Sequence, residues 1–172
     1  MTALKLHPLD DWVLHLGKLL SAFQSLEFVL RGFLYERTAE PEQRPPHGED
    51  LYAHQVGSLV LLNPMTDYRS LKQLIVAYNS SLPPDRNDWA VEPGVADTRD
   101  AIAHGRVTAP EVGEKMRLIK FSPPIAKQPT HVRVTVNLTV DLAWLKSQID
   151  YVQTQTLKVV DAHRTLHSSP AV

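Results

Sequence analysis

The sequence predicts a mainly α-helical fold: a bundle of about four helices with a β-hairpin inserted before the last one. Three observations carry this. An apolar stripe at alternating spacings of four and three residues runs from Trp12 to Phe33. A second stripe of helical period runs from Leu142 to Ala162. Between them, residues 116–121 and 131–138 alternate apolar with polar side chains, the period of a half-buried strand.

The first helix is expected over about residues 9–35. Trp12, Leu16, Leu19, Phe23, Leu26, Leu30 and Phe33 form its core stripe, and Val13, Leu20, Val29 and Leu34 widen it toward a further neighbour. Glu27 lies beside the stripe, where it either faces solvent or pairs with Arg31 one turn on. Residues 38–50 hold three prolines, a glycine and no large apolar side chain, which predicts a flexible loop. Residues 51–62 read either as a short helix or as an extended run. Thr66 is the expected N-cap of a helix reaching about Ser80, with Tyr68, Leu71, Leu74, Ile75 and Tyr78 on one face.

A third helix is expected over about residues 91–104, with Asp88 as its candidate cap and Pro93 in its first turn. Gly105 follows it, where a C-terminal residue with positive φ is often needed. The hairpin, residues 115–138, joins its strands through a proline-stiffened connection at 122–130. The last helix spans about 141–166, with Thr139 as candidate N-cap. Its face is Leu142, Leu145, Ile149, Val152, Thr156, Val159 and Ala162 or His163, and residues 167–172 form a frayed tail. The 172 residues are expected to form a single domain, enough for a full core at 43% hydrophobic content.

Composition removes several function classes. The absence of cysteine excludes disulfides, thiolate metal sites and a thiol nucleophile, and fits a reducing compartment. Asp10 and Asp11 stand where a secretory signal would be apolar, and the run Leu59–Leu62 is too short to span a bilayer, so a cytoplasmic protein without membrane association is expected. The net charge of -1 argues against a long nucleic-acid duplex as partner. Charge is nevertheless uneven: residues 99–133 carry seven Lys/Arg against three acids. A local basic face suits a small anionic target, although a solvated segment would show the same excess.

That segment opens on Arg99-Asp-Ala-Ile-Ala-His-Gly105. An imidazole moves protons near neutral pH, and a guanidinium holds a phosphate through two parallel hydrogen bonds. The spacing alone is weak, since chance supplies about one such pair in a chain of this composition. Its context adds weight. Ala101 and Ala103 are small enough to let another surface approach, and Asp100 shares a helix face with His104. The competing reading is a capped helix end, with His104 on the last carbonyls and Arg99 paired to Asp97 or Glu92. His163 and His167 share a face at a spacing that can hold a metal, but no third ligand accompanies them, and no metal or cofactor is expected.

The motif resembles the Arg-polar-x3-His signature of HEPN domains, helical bundles that include many ribonucleases. The order of a long first helix, a second helix near Tyr78-Asn79, a motif helix, a hairpin and a final helix is similar to that family's architecture over most of the chain. The resemblance implies a metal-independent endoribonuclease of toxin or phage-defence type, acting as a homodimer in which two motifs meet in one cleft. It implies Arg99 and His104 as catalytic residues, Asp100 as their assistant, and Arg106 and Lys120 as contacts to RNA phosphates. An antitoxin or other regulatory protein is a further partner it implies. Many family members lack activity, so the alternative is a non-catalytic dimeric module that binds a nucleotide, RNA or a protein.

Overall fold

A computed structural model of the chain describes residues 8–38, 51–108 and 115–167. Of the loop expected at 38–50 and the tail expected at 167–172, residues 39–50 and 168–172 lie outside the described residues, while Thr38 ends α1 and His167 ends α4. The described residues form four α-helices and a small antiparallel sheet: α1 (Pro8–Thr38), α2 (Leu71–Ser81), α3 (Gly94–His104), β1 (Arg106–Val107), β2 (Met116–Phe121), β3 (Val134–Val140) and α4 (Leu142–His167). The class is therefore mainly α, as the periodicity predicts. Among the described residues between α1 and α2, only a short 3-10 turn at Leu51–Ala53 is regular, and the ambiguous segment that follows is irregular.

The chain divides into two compact units, with α1 split after Gln24 and α4 after Gln155. The first unit holds the start of α1, all of α3, the sheet and the start of α4. Its core is Leu19, Phe23, Val95, Ala96, Ala101, Leu118, Val140, Leu145 and Val152. The second unit holds the rest of both long helices and α2. There Phe33 meets Tyr78 edge-to-face at 4.8 Å, among Leu26, Leu30, Leu74, Ile75 and Val159.

The core stripe of α1 is buried from Leu19 through Phe33, and Leu34 joins it. Acidic Asp10 and Asp11 in the first turn and Arg37 in the last complement its dipole. The expected widening fails at its start: Val13 is 70% and Leu20 42% exposed, because no described element covers that side. A second correction concerns apolarity. Asp10–Thr38 is long and apolar enough to cross a membrane by length and composition, a test that core helices also pass. Scattered charges at Lys18, Glu27 and Arg31 hide this from a search for uninterrupted apolar runs.

Arg31 organises the second unit. Its guanidinium donates to Glu27 at 3.0 Å, to Asp67 Oδ1 at 2.8 Å, and to the carbonyls of Pro64, Asp67 and Arg69. Thr66 is consequently not the N-cap of α2: its hydroxyl closes a turn with Asn63 and Leu61. Tyr68, expected on the helix face, is fully exposed. The helix begins four residues later at a capping box, in which the Ser70 side chain accepts from the Gln73 backbone and the Gln73 side chain accepts from the Ser70 backbone.

The hairpin expected from the alternating pattern is two strands of a three-stranded sheet in the order β1-β2-β3. Strand β1 pairs Arg106 with Ile119 and Val107 with Leu118. Strand β2 pairs Met116 with Val140 and Leu118 with Leu138, and its register shifts between Lys120 and Phe121. The third strand starts at Val134 and continues to Val140, so Thr139 lies opposite Arg117 and does not cap α4. Asp141 does: its carboxylate accepts from the Trp144 backbone at 2.8 Å.

Candidate functional site

The site is built on α3. Its N-terminal approach is clamped onto α4 by the buried Gln155, whose amide accepts from the Glu92 backbone at 3.1 Å and donates to the Glu92 carboxylate at 3.3 Å. Tyr151 donates to the same carboxylate at 2.8 Å. Burial, reinforced by that bond to an anion, pushes the Tyr151 hydroxyl up to about 12. The helix starts at Gly94 with Pro93 as its N-cap, later than its pattern suggests, and residues 87–89 form a separate 3-10 turn. Asp88 sits in that turn and pairs with Arg86 at 3.2 Å, so it is not the cap.

The C-terminal end fixes the motif. Gly105 donates to the Ala101 carbonyl at 2.7 Å and leads straight into β1. Its φ is −75°, so the positive φ expected there is corrected. Glycine is required for another reason. A Cβ at this position would overlap the Ala101 carbonyl oxygen and the Leu118 Cδ1 and would reach the Ile119 carbonyl at 3.4 Å. Only a residue without a side chain lets the helix end lie against the central strand.

On this platform His104 is exposed, with its side chain 64% accessible. Its Nε2 lies 3.6 Å from Asp100 Oδ1, one helical turn back. The other carboxylate oxygen of Asp100 binds the Lys120 ammonium, which reaches it from β2. That hydrogen bond is the largest influence holding the Asp100 carboxyl below its ordinary range. Partial burial opposes it, and the charges of Lys120, His104 and Arg99 reinforce it. Asp100 is thus kept ionised beside the imidazole. Arg99 is half-buried and makes no hydrogen bond or ion pair among the described residues. Glu92, one of its expected partners, is committed to Tyr151 and Gln155.

Five residues of helix rotate the chain by about 500°, which leaves Arg99 and His104 about 140° apart on α3. Asp100 and His104 therefore share a face and Arg99 does not. The two basic residues expected to meet RNA also separate. Lys120 lies on the face of the sheet that carries the buried Leu118, held by Asp100. Arg106 lies on the opposite face, its guanidinium 5.1 Å from the centre of the Phe121 ring.

Among the described residues no group of three or more His, Asp or Glu side chains is arranged to hold a metal. His163 instead contacts Glu36 at 2.9 Å and lies against Phe33. Sequence reasoning missed the Lys120–Asp100 and Gln155–Glu92 links, which join residues 20 and 63 positions apart. The one available signal was the alternation of β2, which places Lys120 on the same face as Leu118.

Compared with family models, with curated proteins and with solved structures, the chain finds no match.

Proposed function

We propose that this protein is a HEPN-like, metal-independent endoribonuclease that works as a homodimer, with Arg99 and His104 of two chains in one cleft. The observation that carries the proposal is the exposed His104 beside an Asp100 kept ionised by Lys120, next to an Arg99 that makes no hydrogen bond or ion pair among the described residues. An imidazole supported by a carboxylate is equipped for general acid–base work. An uncommitted guanidinium is equipped to hold a phosphate.

In this mechanism His104 of one chain takes the proton of a ribose 2′-OH. The freed oxygen bonds to the adjacent phosphorus while the bond from phosphorus to the 5′-oxygen breaks. The Arg99 guanidinium offsets the charge that accumulates on the phosphate oxygens. The leaving 5′-oxygen takes its proton from His104 of the partner subunit. The products are a 2′,3′-cyclic phosphate and a 5′-hydroxyl. The angular separation of Arg99 and His104 on α3 favours a site completed by a second chain over one built within a single chain.

The test is cleavage of single-stranded RNA in EDTA by the wild type, Arg99→Ala and His104→Ala. Each substitution is expected to lower the rate by about 100-fold or more, and the cleaved ends should carry cyclic phosphate. The active species should sediment at twice the 19.3 kDa of one chain. Undiminished cleavage by both variants would overturn the assignment.

A further inference from the structure

The two faces of the sheet have opposite characters. The inward face carries Met116, Leu118 and Val140, all buried, together with Lys120. The outward face carries Arg106 from β1, Arg117, Ile119 and Phe121 from β2, and Asn137 and Thr139 from β3. None of these six is buried, so no described element covers this face.

Its charge is one-sided. Residues 115–140 contain five Lys/Arg and not one Asp or Glu. Two of the five are neutralised, Lys115 by Asp141 and Lys120 by Asp100. Among the described residues Arg117 has only a neutral acceptor, the Asn137 amide oxygen at 3.0 Å. Arg106 lies over the Phe121 ring and has no acid partner among the described residues. Two guanidinium groups and an aromatic ring therefore share an open surface that begins two residues after His104.

We propose that this outward face is a platform for single-stranded RNA. The assignment of RNA as its ligand rests on the ribonuclease reading above. Uncompensated arginines bind phosphates, and the Arg106 guanidinium and Phe121 ring are groups against which an unpaired base stacks. The amide of Asn137 and hydroxyl of Thr139 add hydrogen-bonding groups between them. A duplex cannot use the stacking surface, because its bases are already stacked on one another.

The test uses a fluorescent single-stranded 2′-O-methyl oligoribonucleotide, which lacks the attacking hydroxyl and cannot be cleaved. The wild type is expected to bind it and to prefer it to the matching duplex. The double variant Arg106→Gln/Arg117→Gln should bind about tenfold more weakly. The slope of log affinity against log salt should shrink by about 1.4 for the two lost phosphate contacts. Thr139→Glu, which places a carboxylate opposite Arg117 without removing a cation, should also weaken binding. Lys146→Gln, on an exposed position of α4, should stay within twofold of wild type.

An absence of binding by the wild type, an affinity unchanged in the double variant, or a preference for duplex overturns the platform. Binding that depends on this face in a protein that cleaves no RNA sustains the platform and overturns the ribonuclease. Cleavage that depends on His104, with binding indifferent to this face, does the reverse.

Discussion

Gly105 is the residue on which the site's geometry turns. It holds the end of α3 against β2, where a side chain would strike the Ala101 carbonyl and Leu118. Gly105→Ala is therefore expected to cost about 1–3 kcal/mol, read as a lower urea midpoint with an unchanged slope. The sequence marks this glycine as necessary but supplies the wrong reason, because helix-terminal glycines more often serve a positive φ. Steric crowding from a strand thirteen residues on cannot be seen in a local pattern. The same holds for Asp100. Its spacing to His104 is legible, whereas Lys120 becomes its partner only through the register of β2.

At the scale of elements, periodicity located α1, α2, α4 and the two longer strands, candidate caps and breakers located α3, and most errors fall at the ends. The N-terminus of α2 is the clearest case. Thr66 and Ser70 are both good capping residues in sequence. The choice between them was made by the turn Thr66 closes with Asn63, and by Gln73, which completes the box around Ser70. Ser70→Ala is expected to destabilise the protein by about 1 kcal/mol, measured by chemical denaturation, while Thr66→Ala should leave the length of α2 unchanged by circular dichroism. Strand β1 was illegible for a different reason. Two residues carry no period, and Arg106–Val107 becomes a strand only because β2 lies beside it.

At the scale of the whole molecule, four carboxyls among the described residues sit below their ordinary value of 3.8. At Asp67 burial works the other way, and hydrogen bonds from Arg69 and Arg31 outweigh it. Asp88 is held down mainly by Arg86, Asp100 by Lys120, and Asp141 by the backbone of Trp144. A carboxyl with a lowered folded pKa contributes stability that is complete above its unfolded value and is lost as pH falls through its folded one. The urea midpoint should therefore stay level from about pH 7 to about pH 5 and drop below about pH 4. A midpoint that rises with acidification would contradict these pairings.

The sequence by itself determined the helical class, the core stripes of α1 and α4, and the alternation of β2 and β3, and it offered the pairing of Glu27 with Arg31 as one of two alternatives. Each follows from a periodicity or a spacing of one turn, which is a property of neighbouring residues. It also placed Asp100 and His104 on one helix face. Tertiary structure alone decided that Lys120 neutralises Asp100 and faces away from Arg106, that Glu92 is committed to α4, and that Gly105 serves close packing. These depend on strand register and on contacts between distant segments, which no local pattern encodes.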